Sequence, residues 1–191
     1  YLMKPQPAPA SIETLEKKRE RKNPPLLFNL AELQNLSSKL FKISPDETLS
    51  IVQELYEKKL VTYPRTDARV LSTAVAKEIH KNLNGLMKYE PAVPYLKEIV
   101  GFGSHKGLQK TRYVNDKQIT DHYAVIPTGQ GLNALGALPH LSVQVYDVIV
   151  RRFLSIFYPP AVYLKTGIVT KIREESFFAN FKVLAEEGYL K

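Results

Sequence analysis

Residues Thr62 to Asp67 read TYPRTD and bring a phenol, a guanidinium and a carboxylate together within five positions. Pro64 disfavours the helical region for the residue before it, so Tyr63 is expected in extended backbone. Side chains two apart in an extended stretch share a face, which would aim Tyr63, Arg65 and Asp67 the same way. An arginine beside a tyrosine suits phosphodiester chemistry. Its planar fork can hold a phosphate through paired hydrogen bonds, and its permanent charge offsets charge that builds in the transition state. It also favours the phenolate, which matters because an unperturbed phenol ionises only near pH ~10. The competing reading is packing: the chain has 11 tyrosines, and most of them must be structural.

A second candidate is ITDHYAVIPT, Ile119 to Thr128. His122 follows a glycine-rich basic stretch and precedes an apolar run that Pro127 ends. Brought near Tyr63, it could donate to a phosphate oxygen or shuttle the phenolic proton. A single histidine is more often structural, and the same applies to His80 and His140. Asp121 could orient His122, although side chains adjacent in sequence seldom hydrogen-bond to each other.

The charge balance bears on the partner. Net charge is +8, and 20 basic residues face 13 acidic ones within the first 120 positions. A basic surface suits a polyanion, because phosphate contacts release counterions. Composition alone leaves both nucleic acid and a neutral scaffold open. With no cysteine there is no disulfide framework, no cysteine zinc site and no thiol catalysis, which fits a cytoplasmic origin without requiring it. No apolar run approaches the roughly 18 residues of a membrane span, so no membrane partner is expected. The sequence begins at Tyr1 rather than Met, as a processed product or an excised piece of a longer protein would.

The elements that must position these residues follow from pattern. The proline-rich run Tyr1 to Ser11 reads as an extended entry. The charged run Ser11 to Lys22 reads as an edge strand or a solvated helix, and Pro24–Pro25 as a junction. Asn29 with Glu32 caps a helix whose apolar stripe is Leu33, Leu36 and Leu40. Ser44, Pro45 and Glu47 open a clearer helix that should bury Leu49, Val52, Leu55, Tyr56 and Leu60. A third helix starts near Ser72 and carries Val75, Ala76, Ile79 and Leu83. Gly101 to Gly131 reads as a long loop or a set of short elements. Leu141 to Tyr158 returns to helix, with Tyr146, Ile149, Phe153 and Phe157 on one face. Val162 to Thr170 and Phe177 to Val183 alternate as two antiparallel strands.

LVTYPRTDARVL (Leu60 to Leu71) and DHYAVIPT (Asp121 to Thr128) resemble the active-site signatures of type IA DNA topoisomerases. The stretch before them, with Phe28, Leu30, Leu33 and Gln34, resembles the entry to that family's catalytic domain. The resemblance covers residues 23–191, and its three motifs stand in the family's order. The YPRTD and HxAxIPT forms are closer to the bacterial topoisomerase III branch than to the topoisomerase I branch. Ala68 and Val70 depart from the polar residue and the tyrosine common there, and they flank the nucleophile rather than form it.

The resemblance implies an α+β fold in which a mainly helical gate domain, residues 25–160, is inserted in a partial antiparallel β arch domain, residues 1–24 and 161–191. It implies that Tyr63 attacks single-stranded DNA and becomes joined to the 5′ phosphate, with Arg65 positioning that phosphate and His122 assisting. Gln34, Thr66, Asp67, Arg69 and Thr128 would contact DNA. The family's Mg2+ is held by an acidic Toprim domain with a catalytic lysine. This chain has no DxDxE pattern, so no metal site is expected in it, and it should be inactive without the remaining domains of the polypeptide. Transesterification requires no ATP, and no Walker-type loop is present. A cytoplasmic, nucleoid-associated protein is implied. The main rival is a non-enzymatic, winged-helix-like DNA-binding module. Tyrosine recombinases are set aside, because they need several arginines and a histidine ahead of a C-terminal tyrosine, whereas Tyr63 precedes His122.

Overall fold

The computed structural model describes residues 8–191, so the proline-rich entry lies, through Pro7, outside them. The fold is α+β, in two units: Tyr1–Pro24 with Pro159–Lys191, and Pro25–Tyr158.

The first unit is a three-stranded antiparallel sheet in the order β1 (Ala10–Lys22), β2 (Ala161–Ile172), β3 (Glu175–Glu186). Of the two readings of the charged N-terminal run, the edge strand holds. Its Glu20 pairs across the sheet with Lys165 and, at 3.0 Å, with Lys182, whose ammonium lies 4.3 Å from the centre of the Tyr163 ring. Opposite-charge pairs across strands favour that alignment. β1 thus joins the hairpin of β2 and β3 in one sheet.

The second unit is built on helices. Helix α1 (Leu30–Phe41) is capped by Asn29, whose side chain accepts from the Glu32 N–H, and α2 (Pro45–Glu57) by Ser44, which accepts from Glu47. Each cap satisfies a backbone donor that the first helical turn leaves unpaired. Ser72 caps α3 (Thr73–Lys77) in the same way. The expected third helix breaks at Glu78, and α4 (Ile79–Leu86) carries its second half. Helix α5 (Val93–Phe102) follows, and α6 (His140–Ser155) closes the unit. Gly101–Gly131 is a set of short elements: the end of α5, then 3-10 turns at Ser104–Lys110 and Asp116–Gln118.

Leu27, Phe28, Leu33, Leu55, Tyr146 and Phe153 are wholly buried in one core. Phe157 lies just past α6 yet is buried and packs edge-on against Phe153 at 5.3 Å. Two expected core positions fail. Leu40, in the last turn of α1, is exposed, because the stripe runs through Leu33 and Ser37. Tyr56 is 38% exposed. It stands at the end of α2, where its ring turns to the cavity beside Tyr63 instead of the core.

Candidate active site

Leu60 and Val61, buried after α2, bring the chain to the surface at Thr62 and Tyr63. Residues 27–30, 61–71 and 122–128 then run side by side and are joined by backbone hydrogen bonds. Val125 donates to the Phe28 carbonyl at 2.8 Å, Leu30 to Thr66 at 3.2 Å, Ala124 to Val70 at 3.0 Å, and Thr62 to Ile126 at 3.0 Å. The three sequence motifs are thus one construction in space.

Two threonines lock the tyrosine segment to the histidine segment. The Thr62 hydroxyl donates to the Ala124 carbonyl and accepts from the Ile126 N–H, both at 3.0 Å. The Thr66 hydroxyl donates to the His122 carbonyl at 2.6 Å and accepts from the Ala68 N–H at 3.1 Å. Between these ties stands Tyr63. Its ring centre is 4.3 Å from that of His122 and 5.4 Å from that of Tyr56, which meets it edge-on at 82°. The rings border a cavity of about 560 Å³ that Lys59, Tyr123 and Gln130 also line. A cavity of that size accommodates a nucleotide.

Tyr56 and Tyr123 also line the cavity, and burial pushes the Tyr123 pKa up. Asp121 is exposed and makes no hydrogen bond to His122, so it does not orient that ring.

Arg65 departs from the expected geometry. The Thr66 N–H donates to the Pro64 carbonyl at 3.0 Å, a tight turn centred on Arg65 that interrupts the extended backbone. Alternation along a strand no longer applies, and Arg65 is exposed outside the residues that line the cavity. Asp67 is exposed too, and its backbone carbonyl accepts from the Asn29 side chain at 3.1 Å.

The other expected contact residues bond within the protein. Gln34 donates to the Pro45 carbonyl at 3.0 Å and pins α1 to the start of α2. Arg69 donates to the Leu27 carbonyl at 3.1 Å and pairs with Glu32 at 3.5 Å. The Thr128 hydroxyl donates to the Lys59 carbonyl, while its N–H donates to the Leu60 carbonyl at 3.0 Å. These side chains, with Thr66, build the frame on which Tyr63 and His122 sit.

The chain belongs to the DNA topoisomerase family, in its type IA class: the family model of that description matches residues 2–191. Among the proteins it is similar to, DNA topoisomerase 3 of Bacillus subtilis (strain 168) is 39% identical over 183 residues, which cover 94% of this chain and 24% of that protein. DNA topoisomerase 3 of Bacillus cereus (strain ZK / E33L) is 34% identical over 188 residues, again 94% of this chain and 24% of its own length. The chain therefore spans about a quarter of the length of these relatives. Full-length topoisomerase I from Thermotoga maritima superposes on 94% of the chain, and on 29% of its own, with a TM-score of 0.64 at 20% identity, a likeness of fold.

Proposed function

We propose that this chain is the tyrosine-bearing gate segment, with part of the arch, of a topoisomerase that cleaves single-stranded DNA, passes a strand and reseals the break. Relaxation and decatenation would be its outcomes, in the cytoplasm at the nucleoid. The Tyr63 phenolic oxygen attacks the phosphorus of a phosphodiester. The oxygen–phosphorus bond forms as the bond from phosphorus to the 3′ oxygen breaks, which leaves a 5′-phosphotyrosine and a free 3′ end. The phenol's proton must leave and the 3′ oxygen must gain one. His122, ring against ring with Tyr63, is the group that can hold that proton. Resealing runs the same exchange backwards, with the 3′ hydroxyl as nucleophile. One phosphodiester replaces another, so no ATP is consumed.

Arg65 is exposed and can reach the scissile phosphate from outside the cavity, with Asp67 beside it at the surface. Gln34, Thr66, Arg69 and Thr128 take a framing role on this reading, and Thr128 also lines the cavity. Among the described residues no group of three or more histidine, cysteine, aspartate or glutamate side chains could hold a metal ion. These residues do not fit the Mg2+ that the resemblance implies, and no step is drawn through it. On this reading the ion and its Toprim domain belong to other parts of the polypeptide. Among the described residues no helix is long and apolar enough to cross a membrane.

The contact between Tyr63 and His122 within a nucleotide-sized cavity carries this reading. The test is covalent capture by the full polypeptide of single-stranded oligonucleotides labelled at one end or the other. Protein should become attached to the fragment on the 5′-phosphate side, and Tyr63→Phe should capture none. Adduct formation by Tyr63→Phe would sink the assignment. Mg2+-dependent relaxation of supercoiled DNA by the 191-residue chain alone would overturn the division of labour between domains.

A further inference from the structure

Lys59 occupies the position just beyond the Lys58 cap of α2, with φ at 63°. Helix ends of this kind usually place glycine there, because a Cβ is disfavoured in left-handed backbone. A lysine stands here in spite of that penalty, and its side chain lines the cavity with Tyr63 and His122. Among the described residues that line it, Lys59 is the one with a permanent positive charge, since Arg65 lies outside. Among the described residues no carboxylate forms an ion pair with it. Glu57 also lines the cavity, but its carboxylate accepts from the Gln53 amide at 3.5 Å.

A phosphodiester that reaches the Tyr63 oxygen brings a full negative charge into a space walled by three tyrosines and a histidine. Partial desolvation there strengthens the demand for a matching cation. We propose that Lys59 binds the DNA phosphate at the bond Tyr63 attacks, from inside the cavity, while Arg65 approaches from outside. This rests on Tyr63 as the nucleophile. The bland alternative is that Lys59 only complements the negative C-terminal end of α2, whose last turn has no basic residue.

Glycine and asparagine both tolerate left-handed backbone, so Lys59→Gly and Lys59→Asn remove the charge without adding strain. In the full polypeptide three quantities would be measured: the unfolding temperature, affinity for a mixed-sequence single-stranded oligonucleotide across a salt series, and yield of the Tyr63 adduct. Both variants should unfold at or above the wild-type temperature while affinity at low salt falls by about tenfold. The slope of log affinity against log salt should become shallower by roughly 0.7, the value for one phosphate contact on a single strand. Adduct yield should fall with affinity, and Lys59→Arg should restore the affinity, the slope and the adduct. Wild-type affinity, slope and adduct in both variants would overturn the proposal. So would a loss of affinity matched by an equal loss of folding stability, which would assign the lysine to the helix end. Tyr63→Phe, run in parallel, keeps the two claims apart. Loss of its adduct leaves the nucleophile standing whatever Lys59 does, and survival of the adduct removes both.

Discussion

The Thr66 hydroxyl donates a 2.6 Å hydrogen bond to the backbone carbonyl of His122, and so ties the tyrosine segment to the histidine segment across 56 positions of sequence. Thr66 is buried, and the Ala68 N–H from which it accepts has no water as a ready substitute. Thr66→Val keeps the shape and removes both bonds. The expected cost is about 1–3 kcal/mol of unfolding free energy, because two backbone groups lose their partner, one of them buried. Thr66→Ser should recover most of it. Denaturant unfolding checks the energy, and covalent capture of DNA checks the displacement of His122.

Tyr56, at the end of helix α2, meets Tyr63 edge-on at 5.4 Å. Such a contact contributes about 0.5–1.5 kcal/mol, enough to restrict where the Tyr63 ring sits. Tyr56→Ala should slow single-turnover cleavage several-fold, within the roughly tenfold that 1.4 kcal/mol represents, and change equilibrium DNA binding less. Tyr56→Phe keeps the ring and should cleave at close to the wild-type rate. Equal damage by Phe and Ala would show that the hydroxyl matters instead.

The helices and the sheet could be read in advance where local chemistry dictates them. Asn29, Ser44 and Ser72 cap as their types and spacing require, and alternation marks β2 and β3. Helix α5 gave no such signal: Pro91 and Pro94 suggest a break, yet Pro94 falls in the first turn, where its missing N–H costs nothing. Helical spacing put Tyr56 in the core, because a periodic pattern cannot show where the packing partners end. The shared face expected for Tyr63 and Arg65 assumed a strand, and the turn at Arg65 depends on Thr66 bonding to the distant His122 segment. Lys59 was missed for a related reason: its left-handed backbone follows from how α2 ends and not from its residue type.

Gly85 in α4 lies against Gly129, just beyond the histidine segment. A Cβ at Gly85 would come within 2.4 Å of the Gly129 carbonyl oxygen, and Gly129 itself has φ at 77°. Glycine to alanine inside a helix ordinarily stabilises by up to about 1 kcal/mol. Here the sign should reverse, with Gly85→Ala losing about 1–3 kcal/mol by overpacking. The neighbouring bond from the Asn82 side chain to the Pro127 carbonyl, 2.9 Å, should loosen with it. Chemical denaturation gives the stability change, and faster amide exchange at residues 126–130 would locate it.

Two buried phenols and one half-buried phenol should make the helical unit sensitive to alkali. Burial pushes the pKa of Tyr89, Tyr146 and Tyr158 well above the ordinary 10.0; for Tyr89 the Asp147 carboxylate, bonded at 3.2 Å, adds to the shift, and for Tyr158 the Glu98 carboxylate at 3.0 Å. A phenol that is harder to ionise folded than unfolded contributes stability that is fully present below the unfolded pKa. That contribution is lost as pH rises from about 10 through the folded value. The denaturant midpoint should therefore hold up to about pH 9 and fall steeply above about pH 10. Tyr89→Phe should make the fall shallower at the cost of its bond to Asp147. Tyr146→Phe separates the two effects, because the Tyr146 hydroxyl is buried with no hydrogen-bond partner among the described residues. Removing it should leave stability at pH 7 unchanged or raise it by about 1 kcal/mol, and should also flatten the alkaline loss. A midpoint that drops at pH 7 in Tyr146→Phe would mean that the hydroxyl has a partner in solution.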